Sequence, residues 1–334
     1  MKIFASCNMP PQWVERFSAE FEFDFHDWGS TKTLLPQDEF FGRLQGCPIL
    51  ITEFDEVTAD VIAQCPDLVA IVDCRGNPVN IDIDAATAHN IAVMNTPGRN
   101  ATAVAELTIA LMVFVGRDLV TASREIEEGE WEKQGFKGFY LNHFGNEVAQ
   151  STVGLVGVGA VARKVAKRLQ GFDVKLLGYD PFVMQEQVDD LNIDMVGLDD
   201  LLQQSDFVSL HAPITPETTS MIGAREFDMM KPSAYLINTA RAVLVEEAAL
   251  LDAVVNNRIA GAGLDVFHQE PLSPTYPLLR QPNVIAIPHL GGATHQIPYH
   301  HSEIAYNNIK ALLAGSPVNI VNRDVVDAVL ARLP

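Results

Sequence analysis

Residues Thr152–Ala162 read Thr-Val-Gly-Leu-Val-Gly-Val-Gly-Ala-Val-Ala, so that an apolar strand runs into a turn of small residues. Gly157, Gly159 and Ala162 follow the spacing G-x-G-x-x-[G/A], and helical periodicity continues through 161–169. In such a turn the first glycine permits a tight bend, and the second lets the backbone approach a pyrophosphate. The third small residue lets the helix pack on the sheet, and the helix N-terminus attracts phosphates. The stretch therefore predicts a dinucleotide-binding βαβ unit.

An acidic residue stands where this unit would meet the adenosine ribose. A second strand is predicted at Val174–Tyr179 and ends at Asp180, whose carboxylate is placed to accept hydrogen bonds from the ribose hydroxyls. No lysine or arginine occurs between Lys175 and Arg225, so that segment offers no cation to a 2′-phosphate. The pattern favours NAD over NADP.

The charge balance restricts the partners of the protein. Its 334 residues include 23 lysines and arginines against 43 aspartates and glutamates, a formal net charge of -20. Because such a charge repels polyanions, neither nucleic acid nor an anionic membrane is expected as a partner. An anionic substrate must therefore be held by local cations. The length allows two domains of ordinary size.

The four cysteines, Cys7, Cys47, Cys65 and Cys74, lie in the first quarter of the chain and lack C-x-x-C spacing. We interpret them as buried free thiols. The first apolar run is too short for a signal peptide, and no stretch is long enough to span a membrane. These features predict a cytoplasmic protein.

Residues 1–95 alternate short strands with helices, which is typical of a parallel α/β domain. Strands are predicted at Lys2–Ala5, Glu22–Asp27, Pro48–Thr52, Leu68–Asp73 and Ile91–Asn95. Helices are predicted at Pro11–Ala19, Asp38–Leu44, Thr58–Gln64 and Asp84–His89. Loops at the strand carboxyl ends are the expected contact surface.

One of these loops, Cys74–Asn80, contains Arg75, Gly76 and Asn77. Its glycine frees backbone amides and its arginine can meet an anion, so we consider it a candidate substrate loop. An ordinary exposed turn fits the sequence equally well.

The middle of the chain predicts a crossover, two helices and an aromatic loop. Asn95–Arg99 contains helix breakers and is interpreted as the crossover between domains. Ala101–Val115 is predicted to be a buried helix, and Arg117–Trp131 a charged one. Gly135–Gly145 is expected to be a glycine-flanked loop that packs on the protein, forms a lid or makes a dimer contact. Its aromatic residues are Phe136, Phe139, Tyr140 and Phe144.

Polar or small residues repeatedly follow the predicted strands after the glycine turn. The strands are Phe207–Leu210, Ala234–Asn238, Ala262–Leu264 and Val284–Ile287. The residues that follow them include, in order, His211-Ala212-Pro213, Thr239-Ala240-Arg241, Asp265 and His289. Because open α/β sheets bind ligands at the carboxyl ends of their strands, the sequence predicts a site there.

The C-terminal region is rich in histidine. Asn308–Ala314 is predicted to be a closing helix and Val318–Val321 a short extended piece. No cysteine and no cluster of carboxylates joins His295, His300 and His301 at ligand spacing along the chain. We therefore expect these histidines on solvated helix positions, and no metal site.

Taken together, these motifs resemble the D-isomer-specific 2-hydroxyacid dehydrogenase family, including its phosphoglycerate dehydrogenase-like members. The matching segments are Asn95–Leu107, Gly154–Ala162, His211–Thr218, Ile237–Leu244, Gly263–Leu272 and Pro288–Thr294. The resemblance implies two doubly wound parallel-sheet domains, a Rossmann NAD-binding domain inserted in a flavodoxin-like substrate domain. It places the substrate domain at 1–100 and 297–334 and the NAD-binding domain at 101–296. It also implies a homodimer, and no regulatory domain is expected.

The same resemblance assigns roles by position. Arg241, in Asn-Thr-Ala-Arg, would grip the substrate carboxylate and polarise its carbonyl; His289, in Pro-His-Leu-Gly-Gly, would be the general acid/base; Glu270 would be its carboxylate partner. Arg75, Gly76 and Asn77, in the loop described above, are candidate substrate contacts on their residue types alone. The implied NAD contacts are Gly157, Gly159, Ala160, Val161, Asp180, His211, Ala212, Pro213, Thr218, Thr239, Ala240, Asp265 and Gly291.

These residue types suit hydride transfer between a nicotinamide ring and the carbon that bears the hydroxyl group. A histidine can exchange the proton of that hydroxyl near neutral pH, and a neighbouring carboxylate orients its ring. A guanidinium offers the planar two-point contact that a carboxylate requires. The predicted function is the NAD-dependent interconversion of a small D-2-hydroxy acid and its 2-oxo acid.

Two other functions use the same scaffold. An NAD(H)-sensing binding protein, similar to the C-terminal-binding-protein corepressors, would carry the same residues, but no disordered tail for partners is expected. A formate dehydrogenase would need no general acid, so the Glu-His pair argues against it.

Overall fold

The computed structural model describes residues Met1–Leu333 and divides into two compact units. The first unit contains Met1–Asn100 and the C-terminal segment from Thr294, and the second contains Ala101–Ala293. Each unit is built on one parallel β-sheet. The second unit thus interrupts the first in sequence, and it ends at Ala293, close to the expected position 296.

The sheet of the first unit has five parallel strands. They are β1 (Lys2–Ser6), β2 (Glu22–His26), β3 (Ile49–Thr52), β4 (Ala70–Asp73) and β5 (Ala92–Met94). Their order in the sheet is β2-β1-β3-β4-β5, which is the flavodoxin-like doubly wound order. The helices are α1 (Pro11–Glu20), α2 (Trp28–Thr31), α3 (Gln37–Leu44), α4 (Ala59–Ala63) and α5 (Ile83–Ala88). All five predicted strands and all four predicted helices are confirmed; α2 was not predicted.

The sheet of the second unit has seven parallel strands. They are β6 (Thr152–Val156), β7 (Lys175–Tyr179), β8 (Ile193–Met195), β9 (Phe207–Leu210), β10 (Tyr235–Asn238), β11 (Gly261–Leu264) and β12 (Val284–Ala286). Their order is β12-β11-β10-β9-β6-β7-β8, a Rossmann arrangement with one added edge strand. The order reverses between β9 and β6, so the crevice at the carboxyl end of β6 is the expected ligand position.

The helices of the second unit are α6 (Ala101–Gly116), α7 (Leu119–Glu127), α8 (Glu130–Asn142), α9 (Ala160–Leu169), α10 (Leu198–Gln204), α11 (Ala224–Met229) and α12 (Glu247–Val255). Helix α6 is buried along much of its length, as predicted. The charged helix predicted at Arg117–Trp131 is present as α7, but it ends at Glu127. Gly129, with a φ of 78°, turns the chain there and separates α7 from α8.

The predicted aromatic loop at Gly135–Gly145 is wrong, because α8 runs through most of it. Gly135, with a φ of 68°, interrupts the helix but does not end it. Beyond it, aromatic residues spaced four apart contact each other: the ring centroids of Phe136 and Tyr140 are 6.0 Å apart, and those of Tyr140 and Phe144 are 5.3 Å apart. Neither α7 nor α8 contains a buried residue, so these rings do not pack into the core of their own chain.

A histidine ties α8 to α7. His143 Nδ1 lies 2.8 Å from Asp118 Oδ2, and His143 Nε2 lies 3.1 Å from Glu125 Oε2. Burial acts to lower the pKa of His143, but the two carboxylates outweigh it and hold that pKa above its ordinary value. Since both ring nitrogens face carboxylates, the protonated imidazolium can donate from each of them.

The C-terminal segment returns to the first unit as α13 (Ile297–Leu313) and α14 (Val326–Arg332). The predicted closing helix at Asn308–Ala314 is only the end of α13, which begins with Pro298 in its first turn. The predicted extended piece forms a single antiparallel bridge between Ile320 and Met94. Among the described residues, no helix has the length and apolarity needed to cross a membrane.

Candidate active site

At the first glycine of the turn after β6, the structure leaves no room for a side chain. Gly157 has a φ of 86°, and its N–H donates to Tyr179 O at 2.8 Å. A Cβ added there would lie 2.6 Å from Ala212 N, so the backbones after β6 and β9 approach closely only because residue 157 is glycine. At Gly159 a Cβ would meet nothing within 4 Å. This open space faces the start of α9, whose first residues are Ala160 and Val161, and it fits a pyrophosphate.

Asp180 is fixed at the end of β7. Its Oδ2 accepts from Val158 N–H and its Oδ1 from Phe182 N–H, both at 2.9 Å. Arg163, which the sequence reasoning did not consider, donates from Nε to Val158 O at 3.1 Å and from Nη1 to Gln187 O at 2.7 Å. The carboxylate is thus held beside the glycine turn, where it fits a ribose diol and disfavours a 2′-phosphate.

The segment after β9 closes on itself. His211 Nε2 lies 2.9 Å from Ser209 Oγ, and removal from water lowers the pKa of His211 to about 4. Thr218 Oγ1 donates to Pro213 O at 2.7 Å, while Ala212 is buried against the glycine turn. His211 is therefore neutral at physiological pH.

An asparagine shapes the turn after β10. Asn238 Oδ1 accepts from Ala240 N–H at 3.1 Å, and its Nδ2 donates to Arg241 O at 2.9 Å. Thr239 Oγ1 lies 2.8 Å from Thr108 Oγ1 of α6. Sequence reasoning missed Asn238, although an asparagine that ends a buried strand is a recognisable turn signal.

Glu270 and His289 form a hydrogen-bonded pair. His289 Nδ1 lies 2.7 Å from Glu270 Oε2, and Glu270 Oε1 accepts from Phe267 N–H at 2.9 Å. Because a carboxylate oxygen accepts, Nδ1 carries the proton and Nε2 is the free nitrogen. Partial burial acts to raise the pKa of Glu270, but the bonds from His289 and Phe267 and the charge of Arg241 hold it below its ordinary value. Glu270 is thus a carboxylate at neutral pH.

The loop that carries His289 is held by Asp265. The Oδ1 of Asp265 accepts from Leu290 N–H at 2.7 Å and its Oδ2 from Gly291 N–H at 2.8 Å. A Cβ at residue 291 would lie 2.8 Å from that Oδ2, so only glycine permits the contact. His289 itself has a φ of 52°, an uncommon conformation that costs about 1–3 kcal/mol and must be imposed by its surroundings. Burial raises the pKa of Asp265.

The strand order brings these groups to one edge of the sheet. Arg241, Asp265 and His289 follow β10, β11 and β12, which are neighbours in the sheet. A cavity of about 420 Å³ adjoins the Glu270–His289 pair and is lined mostly by apolar side chains. The side chains of His289 and Glu270 are 50% and 37% exposed, so the pair is open to a ligand.

The candidate substrate loop lies in the first unit, after β4. Gly76 and Asn77 are exposed, and the Arg75 guanidinium carbon lies 5.4 Å from the centroid of the Phe54 ring. Asn95 Nδ2 donates to Gly76 O at 2.7 Å and fixes the start of the loop.

The expectation for the tail histidines is wrong at His301, which is fully buried. One ring nitrogen of His301 and the sulfur atoms of Cys7 and Cys74 lie within 4.8 Å of one another. All four cysteines are free and buried, as predicted.

Comparisons with known proteins agree with this geometry. A family model described as D-isomer specific 2-hydroxyacid dehydrogenase, NAD binding domain, matches residues 109–291. The glyoxylate reductase of Korarchaeum cryptofilum is 35% identical over 329 residues, 97% of this chain and 97% of that protein. The D-3-phosphoglycerate dehydrogenase of Archaeoglobus fulgidus is 37% identical over 275 residues, 82% of this chain and 51% of that protein.

Among solved structures, the NAD-complexed D-isomer specific 2-hydroxyacid dehydrogenase from Lactobacillus delbrueckii ssp. bulgaricus matches with a TM-score of 0.80 and 26% identity. The match covers 96% of this chain and 100% of that one. The whole-length relatives and the matched NAD-binding domain establish both the cofactor and the class of reaction. The chain belongs to the D-isomer-specific 2-hydroxyacid dehydrogenase family and is an NAD-dependent oxidoreductase that acts on CH–OH groups.

Proposed function

We propose that the protein reduces a 2-oxo acid to its D-2-hydroxy acid and catalyses the reverse reaction, with Arg241, Glu270 and His289 as the catalytic group. The observation that carries this proposal is the 2.7 Å hydrogen bond between His289 Nδ1 and Glu270 Oε2. It leaves Nε2 as the nitrogen that exchanges a proton with the substrate oxygen. Arg241 follows the strand two positions away in the same sheet and supplies the cation for the substrate carboxylate.

When bound, the cofactor would supply the hydride chemistry, as NADH in reduction and as NAD in oxidation. In reduction, His289 donates the proton from Nε2 to the carbonyl oxygen, while its Nδ1–H stays bonded to Glu270. The Glu270 carboxylate offsets the positive charge of the imidazolium before that transfer. A positioned acid/base of this kind contributes about 10²–10⁴ in rate.

We assign the pyrophosphate to the space in front of Gly159, Ala160 and Val161, and the adenosine ribose to Asp180. We assign the remaining NAD contacts to the segment from His211 to Thr218, to the turn Thr239-Ala240, and to Asp265 with Gly291. The close backbone approach at Gly157 and the open space at Gly159 support this placement. The backbone amides of the turn carry the phosphate contacts, because Ala160 and Val161 offer no polar side chain.

We assign the far end of the substrate to Arg75, Gly76 and Asn77. Arg75 makes no side-chain hydrogen bond within the described part of the chain, so its five N–H donors are free for an anionic or polar group.

We also propose a homodimer formed through α7 and α8. Ile126, Trp131, Phe136, Tyr140 and Phe144 are between 48% and 73% exposed there. So large an apolar surface on helices without buried residues is typical of a protein interface, and a second copy of this chain is the partner that the family favours.

The test is NADH oxidation with a panel of small, branched and phosphorylated 2-oxo acids. We expect turnover with at least one acid, and a decrease of about 10²–10⁴ in kcat for His289→Gln with NADH binding unchanged. His268→Gln is the matched control, because His268 is a neighbouring histidine whose side chain, within the described residues, hydrogen-bonds only to Val245 O. Full activity of His289→Gln would contradict the assigned role.

A further inference from the structure

We propose that Cys7, Cys74 and His301 form a structural zinc site in the first unit. Their ligand atoms lie within 4.8 Å of one another, and all three residues are fully buried. Zinc is commonly bound by thiolate and imidazole ligands, whereas magnesium and calcium prefer oxygen ligands.

The three residues come from separate parts of the sequence. Cys7 follows β1, Cys74 follows β4, and His301 lies in α13. Because α13 follows the whole second unit in the sequence, a shared ion would fasten the returning C-terminal helix to the sheet that it packs on.

The hydrogen bonding of His301 is that of a metal ligand. Its Nε2 lies 2.6 Å from Asn8 O, a carbonyl that can only accept, so Nε2 carries the proton. Nδ1 therefore holds a lone pair, and it is buried without a hydrogen-bond partner among the residues that the structure describes. Metal-binding histidines commonly donate their second ring N–H to a backbone carbonyl, which fixes the tautomer in this way.

The charge balance suits a buried site. Binding of Zn²⁺ displaces one proton from each of the two thiols, so the ion with two thiolates and a neutral imidazole has no net charge. Glu53 Oε1, 3.8 Å from His301 Nδ1, is the nearest carboxylate, and Arg99 Nη1 lies 3.6 Å from the same oxygen. The Glu53 charge is thus balanced from outside the ligand set.

The geometry argues against a disulfide between the same cysteines. Strand β3 lies between β1 and β4, which separates their backbones by about 10 Å. A disulfide requires Cα atoms within about 7 Å. In a tetrahedral zinc site the ligand atoms would be about 3.5–3.8 Å apart, so a contraction of about 1 Å brings these three ligands to that spacing and leaves the fourth position to a further ligand.

The experiment is a titration of the chelator-treated, reduced full-length protein with Co²⁺ and then Zn²⁺, followed by absorption spectroscopy. We expect thiolate-to-cobalt charge-transfer bands that saturate at one Co²⁺ per chain and are abolished by Zn²⁺. Cys7→Ala and Cys74→Ala should lose the bands. Removing a residue that only hydrogen-bonds to a metal ligand typically weakens metal binding by about 10–100-fold. His301→Gln should weaken Co²⁺ binding by more than this, because it removes a ligand itself.

Cys65→Ala is the matched control, because Cys65 is a buried free cysteine in a different core cluster. It should keep the bands. Absence of thiolate bands in the wild-type protein would overturn the proposal without reference to any variant. Bands that persist in Cys7→Ala, or that disappear equally in Cys65→Ala, would overturn it as well. The readout is independent of turnover, so its result does not depend on the proposed reaction.

Discussion

Replacing Gly157 with alanine should destabilise the second unit and abolish NADH binding at the same time. The new Cβ would lie 2.6 Å from Ala212 N and 2.8 Å from His211 C, which are backbone atoms that cannot rotate away. The φ of 86° adds about 1–2 kcal/mol for any residue with a Cβ. Forcing extra volume into a packed site costs about 1–3 kcal/mol more. We therefore expect a loss of about 2–5 kcal/mol in the free energy of unfolding.

Gly159→Ala separates binding from stability. Among the described residues, nothing lies within 4 Å of its Cβ position, and its φ of -81° suits alanine, so the loss of stability expected for Gly157→Ala should not occur. The methyl group would occupy the space assigned to the pyrophosphate. Loss of one charge-assisted backbone contact, about 1.5–3 kcal/mol, should weaken NADH binding about 10–100-fold.

Stability is measured by urea unfolding that is monitored by circular dichroism. NADH affinity is measured by a fluorescence titration. Gly171→Ala is the control, because its Cβ also meets nothing within 4 Å and it lies beyond the far end of α9. It should leave NADH affinity unchanged and should not lower stability. Wild-type affinity in Gly159→Ala would show that the phosphates bind elsewhere, and wild-type stability in Gly157→Ala would refute the packing argument.

Three further predictions concern the substrate, the helix pair and the interface. Arg241→Lys should lower kcat/KM about 10–100-fold, because lysine replaces a two-point contact with one; an unchanged value in steady-state assays would exclude the carboxylate role. His143→Gln should destabilise the protein below about pH 6.5, because a pKa that is raised in the folded state stabilises the wild type there. This stabilisation disappears as the pH rises through the pKa of the folded state. A difference in the free energy of unfolding that does not shrink towards pH 9 in urea unfolding would count against the imidazolium. Phe136→Asp should yield monomers in sedimentation experiments, whereas Val255→Asp, 49% exposed on α12, should not; an unchanged Phe136→Asp dimer would place the interface elsewhere.

Local sequence signals predicted most of the two sheets. Apolar runs of four to six residues bounded by glycine, proline or polar residues located strands such as β6 and β9, because a buried parallel strand is apolar on both faces. The short edge strand β8, Ile-Asp-Met, was missed because its middle residue is polar and exposed.

The error at Gly135 is local, whereas the other errors lie where distant contacts decide the structure. Gly135 suggested a loop, but the chain is helical on both sides of it. After Gly135, the aromatic residues Phe136 and Tyr140, which are four positions apart, contact each other. His301 looked like a solvated residue because its burial depends on Asn8 and Cys7, almost 300 residues earlier in the sequence. Asp265 could be placed after its strand, but its bonds to the backbone of Leu290 and Gly291 require a loop geometry that no local pattern encodes.

The chirality and isotope content of the product test the proposed reaction most directly. A 2-oxo acid that supports turnover would be reduced with NADH deuterated at the transferable position of nicotinamide C4. The proposed function predicts a D-2-hydroxy acid with deuterium at C2, at a rate that His289→Gln reduces by about 10²–10⁴. An L-product, or a product without deuterium at C2, would contradict it.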